Sequence, residues 1–239
     1  MDDMKLYSHF AKRQRNHIGI KIKIRQARII SQMALNGFSG NCSILELGPG
    51  DGYIANIAAE SGHQYLGIDA SKEVTEKLVR KGYQIKRAFI PPLPEGIGKF
   101  DYCFMLHIIE HMKDMLTASK LIEDVSDHLM ENGKLILASP DYSKWKTDFY
   151  DCDYTHHLPI TIRRLRQLLI NLDFQIVHET IYIGPIFGYK GLPLYWVTKL
   201  LYYRTLDELF YKYIKNDIWY RGYLTFLPSI LVIAKKKSF

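Results

Sequence analysis

Short apolar strands alternate with amphipathic helices along most of this chain of 239 residues. Strands are predicted at 43–47, 64–69, 83–88, 100–106, 134–138, 174–180 and 230–234. Helices are predicted between them at 53–61, 71–81, 117–130 and 161–171, with a shorter one running to 111. Because strands and helices take turns, the expected fold is α/β, a seven-stranded, mostly parallel, doubly wound sheet with helices on both faces.

Two segments fall outside this alternation. Residues 1–40 are predicted to form an N-terminal basic helical segment, although apolar residues at 18–24 alternate with period two, as in a strand. Residues 181–227 are rich in tyrosine, leucine and tryptophan and too long for a simple connection, so a helical insertion or lid is expected there. The sheet domain is then expected at 41–180 and 228–239.

The composition excludes several classes of protein. With 47% hydrophobic and 13% aromatic residues, the chain can build a full core and is not expected to be disordered. Three cysteines cannot form a disulfide framework and are typical of a reducing, cytoplasmic location. No secretory signal or transmembrane segment is predicted. The net charge of +7 favours anionic partners, and the lysines and aromatic residues of the insertion are compatible with peripheral membrane contact.

A glycine-rich loop lies directly between the first strand and the helix that follows it. It reads Glu46-Leu47-Gly48-Pro49-Gly50-Asp51-Gly52-Tyr53. Glycines at such a place permit positive φ and let the backbone approach a ligand, while free amides at the helix start face it. A dinucleotide site needs a third small residue where this chain has Tyr53, so an NAD-dependent oxidoreductase is disfavoured.

The spacing of the glycines, with Glu46 ahead of them, resembles the first motif of the class I, Rossmann-like, S-adenosylmethionine-dependent methyltransferases. Residues 99–112 resemble the fourth-strand segment of that family, often written FDxxxxxxVLEH, and residues 131–135 resemble its turn into strand five. The resemblance covers 42–180 and the final strand. It implies methyl transfer, with S-adenosylmethionine as cofactor and S-adenosylhomocysteine as product.

The resemblance also implies which residues hold the cofactor. Glu46 and the glycine loop would hold its amino-acid end, and the Asp69 carboxylate, at the end of the second strand, would accept hydrogen bonds from both ribose hydroxyls. The family often has an acid after strand three for the adenine, but 88–92 contains none, so Phe89 and Ile90 are expected to give stacking, apolar or backbone contacts. The predicted cofactor residues are Glu46, Gly48, Pro49, Gly50, Gly52, Asp69, Ala70, Phe89, Ile90, Leu106 and His107.

Residues 151–161 follow strand five and are expected at the same edge of the sheet. They resemble the D-x-T-H segment of bacterial methyltransferases encoded with glycan-assembly enzymes. His156 is the predicted base or acceptor-orienting residue, with Asp153 or Asp151 as its partner. His107 is a further catalytic candidate. The alternative is that His156 only bonds the backbone.

Two patterns contain metal-ligand residue types, but no metal is predicted. His107-Ile108-Ile109-Glu110-His111 matches the zinc-peptidase pattern H-x-x-E-H, yet its first histidine lies at the mouth of a strand rather than inside a long helix. A second group, at the start of 151–161, matches no fixed spacing for a divalent ion. Its members are Asp151, Asp153, His156 and His157.

The leading functional hypothesis is O-methylation of a small molecule or a glycan precursor, as in polysaccharide biosynthesis. A nucleic-acid methyltransferase is the alternative, suggested by the charge and the basic N-terminal segment. Against it, strand four lacks the (N/D)-P-P-(Y/F) signature, and Cys103 has no flanking proline. A non-catalytic partner that keeps the fold is a third possibility.

Overall fold

An eight-stranded sheet runs through the computed structural model, which describes residues 17–35, 40–214 and 217–237. Its strands lie in the order β3-β2-β1-β4-β5-β8-β6-β7. They are β1 (Ser43–Leu47), β2 (Gln64–Asp69), β3 (Ile85–Arg87), β4 (Phe100–Leu106), β5 (Leu129–Pro140), β6 (Phe174–Ile183), β7 (Ile186–Phe187) and β8 (Ser229–Lys236).

The sheet is mostly parallel, as expected. Strands β1 to β5 pair in parallel, whereas β8 is antiparallel to both of its neighbours, β5 and β6. The expected number of strands was one too low, because β7 turns back from β6 and pairs with it through only two residue pairs. Two residues are too few to show a periodic pattern. The rings of Tyr182 and Phe187 stack across this pair with centroids 5.2 Å apart.

Helices pack on both faces of the sheet. They are α1 (His17–Leu35), α2 (Tyr53–Glu60), α3 (Lys72–Arg80), α4 (Met115–Asp127), α5 (Tyr142–Trp145), α6 (Asp148–Asp151), α7 (Ile162–Asn171), α8 (Leu192–Leu201), α9 (Arg204–Ile214) and α10 (Ile218–Thr225). Along β1, Ile44 packs into one apolar core and Leu45 into the other, because successive side chains of a strand point to opposite faces. A strand that is buried on both faces has a continuous apolar sequence, and the ends of that run indicate the ends of the strand. The observed bounds of β1, β2 and β4 are for this reason the predicted ones.

The N-terminal basic segment is a helix where the structure describes it. Its period-two alternation at 18–24 does not form a strand, since the buried residues Ala27, Ile30 and Ala34 follow the spacing of a helix face. Residues 1–16 and 36–39 of the segment lie outside the described residues. The three-part domain division stays a prediction.

Three local expectations change. The short helix expected to run to 111 is a single 3-10 turn, Ile109–His111. The segment 141–160, for which no helix was predicted, contains α5 and α6, each four residues long. The expected insertion contains β7, the 3-10 turn Tyr189–Gly191 and the helices α8 to α10.

The topology brings the predicted site residues to one edge. Strand β2 lies on one side of β1 in the sheet, and β4 lies on the other side. The order of the strands therefore reverses direction between β1 and β4. Ligands of such sheets bind in the crevice beyond the carboxyl ends of the strands at this reversal. The glycine loop, Asp69 and His107 follow β1, β2 and β4 there. Within the described residues, no helix is both long and apolar enough to cross a bilayer.

Candidate active site

A cavity of about 350 Å³ opens at the carboxyl ends of β1, β2 and β4. It is continuous from the glycine loop to the segment after α6. Its lining residues that precede β4 are Gly48, Gly50, Asp51, Ile68, Asp69, Ala70, Ser71, Glu73, Val74, Lys77, Ala88, Phe89 and Ile90. The others are His107, Ile108, His111, Met112, Asp153 and Thr155.

The glycine loop adopts a conformation that requires glycine. Gly48, Gly50 and Gly52 have φ values of +66°, +54° and +80°, which residues with a side chain rarely adopt. The Gly48 N–H donates to the Ile68 carbonyl at 2.8 Å, so the loop is tied to β2. A Cβ built on Gly50 would meet only the Gly48 carbonyl, at 4.0 Å. The backbone of Gly50 therefore faces open space beside the cavity.

Asp69 lies at the end of β2 and lines the cavity. Its Oδ1 accepts a hydrogen bond from the Ser71 N–H at 2.8 Å, and the backbone N–H of Gly50 also donates to this carboxylate. Burial raises the pKa of Asp69 above its ordinary value, and the two N–H groups partly offset that rise. The carboxylate is thus held rigidly between the glycine loop and the start of α3.

Glu46 lies behind the loop and is 4% exposed. Its Oε2 accepts a hydrogen bond from the Tyr65 hydroxyl at 2.5 Å. Burial raises the pKa of Glu46 to about 8, against the lowering effect of the Tyr65 bond and with a further increase from the Asp69 charge. Glu46 is therefore bonded to β2 next to the loop and is not among the residues that line the cavity.

The opposite wall of the cofactor end is apolar. Ile68, Ala88 and Ile90 line it, and Phe89 is 49% exposed at its edge. At the rim, Lys77 Nζ contacts Asp51 Oδ1 at 2.9 Å. Such a wall offers a purine apolar and stacking surfaces rather than a carboxylate.

The structure places the predicted cofactor residues in two groups. Those on the cavity wall are Gly48, Gly50, Asp69, Ala70, Phe89, Ile90 and His107. Those outside the lining are Glu46, Pro49, Gly52 and Leu106. Gly52 borders a second pocket of about 250 Å³, beside Tyr53 and Arg28.

His107 has φ +60° and both of its ring nitrogens are engaged. Its Nδ1 lies 3.0 Å from Glu110 Oε1 and its Nε2 lies 2.7 Å from the Tyr182 hydroxyl. Ser229 bonds that hydroxyl in turn. A consistent arrangement has Tyr182 donating to Nε2 and the Nδ1–H donating to Glu110.

Glu110 is fully buried beneath His107. Burial by itself would raise its pKa, but the bond from His107 and the charges of His107, His111 and His156 lower it below the ordinary value. The H-x-x-E-H pattern contains Glu110, but no metal was predicted there, and Glu110 was not among the predicted site residues.

The segment after α6 supplies the remaining polar residues. Asp153 Oδ1 accepts from the Thr155 N–H at 2.9 Å and from the Thr155 hydroxyl at 2.6 Å. His156 is 9% exposed and its Nδ1 lies 2.6 Å from the Phe149 carbonyl. Neither expected carboxylate bonds His156, because Asp153 is engaged by Thr155 and Asp151 pairs with Arg204 at 3.0 Å.

Sequence reasoning missed two residues that line this end of the cavity, His111 and Thr155, and one residue, Tyr182, that bonds His107. His111 lines the cavity, and its Nδ1 lies 2.9 Å from the Thr155 hydroxyl. Thr155 lies between the two predicted residues Asp153 and His156. It is the threonine of the D-x-T-H segment, and this match could have identified it as a site residue. Tyr182 comes from β6, and no local pattern connects it with His107.

The residues present fit S-adenosylmethionine. One cavity brings together three features. It has a carboxylate that can accept hydrogen bonds from ribose hydroxyls, a glycine whose missing side chain leaves room for a ligand, and an apolar wall that can contact a purine. These features match the requirements of the three chemically distinct parts of that molecule.

Comparisons with known proteins identify the family and the fold. The sequence profile of a family described as "Methyltransferase domain" matches residues 13–179. An S-adenosylmethionine-dependent methyltransferase from Archaeoglobus fulgidus is 20% identical, with a TM-score of 0.61 over 90% of this chain and 96% of that chain. No curated protein matches the chain.

Two further solved structures share the fold at lower identity. The N-methyltransferase NodS from Bradyrhizobium japonicum, in complex with S-adenosyl-L-homocysteine, is 11% identical, with a TM-score of 0.65 over 100% of both chains. Magnesium protoporphyrin IX methyltransferase from Synechocystis, with bound S-adenosylhomocysteine, is 13% identical, with a TM-score of 0.62 over 98% of this chain and 94% of that chain.

Proposed function

We infer, from the premise that this chain belongs to the methyltransferase domain family and takes S-adenosylmethionine as its cofactor, that it methylates a hydroxyl group of a small molecule or glycan precursor. One observation supports this most. The cavity that contains Asp69 at one end has His111, Asp153 and Thr155 at the other, so groups able to bind a hydroxyl and receive its proton adjoin the cofactor end.

In this proposal the chain binds the cofactor through the wall already described. Asp69 holds the ribose hydroxyls, Gly48 and Gly50 accommodate the amino-acid end, and Phe89 and Ile90 cover the adenine. Glu46 supports the loop through Tyr65. The preorganised carboxylate of Asp69 needs no rearrangement to accept hydrogen bonds, since two backbone N–H groups already fix it.

When bound, S-adenosylmethionine supplies a methyl group whose bond to sulfur breaks as a new bond to the acceptor oxygen forms, the electron pair going to sulfur. The chain has to align the acceptor, exclude water and take up the hydroxyl proton. Asp153 is the proposed proton acceptor. Both hydrogen bonds that its carboxylate accepts from described residues use Oδ1, so Oδ2 accepts none within this part of the chain.

His107 acts in this proposal as a positioning residue. With one nitrogen bonded to Tyr182 and the other to Glu110, it is not free to take a proton from an acceptor without giving up a bond. Its ring lines the cavity between the cofactor end and the acceptor end. His156 is buried behind this wall and supports the acceptor end: its backbone N–H donates to the Asp153 carbonyl at 3.1 Å, whereas its ring bonds the Phe149 carbonyl and not the Asp153 carboxylate.

The test is a pair of carboxamide variants assayed with methyl-labelled S-adenosylmethionine against a panel of hydroxylated small molecules, sugars and nucleotide sugars. Asp153→Asn should lower kcat by roughly 100-fold or more, in the range of general acid–base catalysis, with the affinity for S-adenosylhomocysteine unchanged. Asp151→Asn, whose carboxylate faces Arg204 instead, should retain full kcat. An unchanged kcat in Asp153→Asn would remove Asp153 from the mechanism.

A nucleic-acid acceptor is a second candidate. It is favoured by the exposed cations Lys21, Arg25 and Arg28 on α1 and by the net charge of +7. The same assay includes mixed RNA. Label in RNA, with binding that weakens steeply as salt rises, would replace the small-molecule proposal.

A further inference from the structure

We propose that Glu110, His111 and His156 bind one divalent first-row transition-metal cation at the acceptor end of the cavity. One ligand atom of each residue lies within 4.8 Å of those of the other two. Bonds from such a cation to imidazole nitrogen and carboxylate oxygen are about 2.1 Å, so ligand atoms at tetrahedral angles lie about 3.4 Å apart. A contraction of up to about 1.4 Å between the side chains would therefore complete the set.

A buried atom without a partner points to a ligand. Glu110 is fully buried, and its Oε2 has no hydrogen-bond partner among the described residues, while its Oε1 is bonded to His107. A buried carboxylate oxygen left without a partner is costly, and native structures seldom keep one without an ion, a water molecule or a functional reason. A cation between Glu110 and the two histidines would satisfy this oxygen.

The hydrogen bonds of the two histidines prepare them as ligands. His156 Nδ1 faces the Phe149 carbonyl at 2.6 Å and must carry the proton there, because a carbonyl only accepts. His111 Nδ1 faces the Thr155 hydroxyl, which itself donates to Asp153. In both rings the lone pair is thus left on Nε2. Metal-binding histidines in proteins are oriented in this way, by donating the other N–H to a backbone or side-chain oxygen.

The backbone holds the two halves of the cluster together. The carbonyl of Glu110 accepts hydrogen bonds from the N–H groups of His157 and Leu158, at 2.9 and 3.0 Å. The rings of His111 and His156 lie 4.9 Å apart, and Phe149 packs on the far side of His156 with centroids 4.7 Å apart. The turn Ile109–His111 and the segment after α6 are therefore fixed relative to each other before any ion binds.

The ligand set leaves coordination positions open toward the cavity, because His111 lies on its wall. Two imidazoles and one carboxylate occur in catalytic zinc and non-haem iron sites, where further positions bind water or substrate. Resting on the proposed function, the acceptor would then be an oxygen chelator, with a second oxygen next to the hydroxyl that is methylated. The cation would lower the pKa of that hydroxyl, and its proton would go to Asp153.

The test is calorimetric titration of Zn²⁺ into the full chain after treatment with a chelator, without cofactor or acceptor. We expect one Zn²⁺ per chain in the wild type and in His157→Ala, whose side chain is exposed and outside the cluster. Affinity should fall by roughly 10-fold or more in Glu110→Gln and in His111→Gln. Circular dichroism checks that each variant is folded.

Wild-type protein that binds no Zn²⁺, or variants that bind as well as the wild type, would overturn the proposal. Should the variants fail to fold, the visible absorption of the Co²⁺-loaded wild type decides. Bands typical of nitrogen and oxygen ligands, lost on adding Zn²⁺, support the site, and the spectrum of aqueous Co²⁺ contradicts it. These measurements do not depend on methyl transfer, so the proposed function and the metal site can fail separately.

The acceptor class has its own measurement. Catechol should bind at least about 10-fold more tightly to the Zn²⁺-loaded protein than to the chelator-treated protein, whereas phenol, with a single oxygen, should bind both alike. Equal affinities of catechol for the two forms would overturn the chelating acceptor.

Discussion

At the scale of single residues, the cofactor end depends on one carboxylate. Asp69 is held by the Ser71 and Gly50 N–H groups in a partly buried position, where a lost hydrogen bond to a charged group costs more than in water. This rigidity distinguishes it from the surface carboxylates of the neighbouring helix α3. The effect of losing Asp69 on cofactor binding can therefore be distinguished from the effect of losing any one negative charge.

We expect Asp69→Ala to weaken S-adenosylhomocysteine binding by roughly 1–3 kcal/mol, the cost of removing a charged hydrogen-bond partner. Isothermal titration calorimetry measures the change. Glu76→Gln, an exposed carboxylate on α3 that pairs with Lys72, is the control and should leave the affinity unaltered. Equal affinity in Asp69→Ala and the wild type would mean that the ribose binds elsewhere.

Glu46 makes stability depend on pH. Burial raises its pKa in the folded chain from an ordinary 4.5 to about 8. Between these two pH values the folded chain therefore keeps a proton that the unfolded chain has lost. The stabilisation from this proton is fully present below about pH 4.5 and is lost as the pH rises towards 8. Glu46→Gln carries no titrating group and should show a smaller fall of Tm between about pH 5 and 8.

Calorimetric melting curves at several pH values measure this difference. Glu60→Gln, at the end of α2 and bonded only to Asn56 in the described residues, should keep the wild-type slope. If the Tm of Glu46→Gln and of the wild type fell in parallel, Glu46 would be ionised in the folded chain.

At the scale of elements, the glycine loop has two separable requirements, a backbone conformation and open space for the ligand. Gly50 and Gly82 both have positive φ, and a Cβ on either would meet no close atom of the protein. Only Gly50 lies on the cavity wall. The two positions therefore form a matched pair.

Gly50→Ala and Gly82→Ala should each destabilise the fold by about 1–2 kcal/mol, the cost of a side chain in the left-handed region. Only Gly50→Ala should also weaken binding of S-adenosylhomocysteine, because its methyl group enters the cofactor's space. Chemical denaturation and calorimetry give the two quantities. Full affinity in Gly50→Ala would show that the cofactor does not approach this loop.

Helices α8 and α10 are joined to α6 by a hydrogen-bonded cluster. The Tyr223 hydroxyl, on α10, donates to Asp148 Oδ2 on α6 at 2.7 Å and accepts from Lys199 Nζ on α8 at 2.8 Å. Tyr220, also on α10, has a buried hydroxyl with no partner among the described residues. The same substitution at these two tyrosines should therefore have different effects.

Tyr223→Phe should destabilise the chain by roughly 1–3 kcal/mol, because Asp148 loses its closest donor while remaining buried. Tyr220→Phe should be neutral or stabilising, since it removes a hydroxyl that has no partner. Denaturant unfolding measures both, and hydrogen exchange should quicken in α8 and α10 only for Tyr223→Phe. Equal stability of the two variants would contradict this assignment.

The elements also show what could be predicted from the sequence. The apolar runs of β1, β2 and β4 predicted their bounds, because both faces of these strands are buried. Strand β5 extends from Leu129 to Pro140, well beyond the predicted 134–138, because its ends are defined by pairing with β4 and β8 rather than by local residues. Pairing partners far away in the chain leave no local pattern.

The same distinction holds within the site. Asp69 and His107 were expected at one edge because the topology of a doubly wound sheet brings strand ends together. A backbone partner for His156 was one of the two alternatives, but the sequence could not say that it is the carbonyl of Phe149. Tyr182 reaches His107 from β6, a strand that lies three positions from β4 in the sheet.

At the scale of the whole molecule, the strand order determines where the chemistry can occur. The reversal between β1 and β4 places the glycine loop, Asp69 and the turn Ile109–His111 around one cavity, to which the segment after β5 adds Asp153 and Thr155. The exposed apolar side chains of α8 lie outside that cavity. Peripheral membrane contact through this helix stays a prediction.

The most direct measurement is a crystal structure of the full chain grown with S-adenosylhomocysteine. We expect the nucleoside in the cavity, with both ribose hydroxyls within hydrogen-bond distance of the Asp69 carboxylate and the amino-acid end beside Gly48 and Gly50. S-adenosylhomocysteine bound in another place, or a cavity without it at saturating concentration, would contradict the central claim.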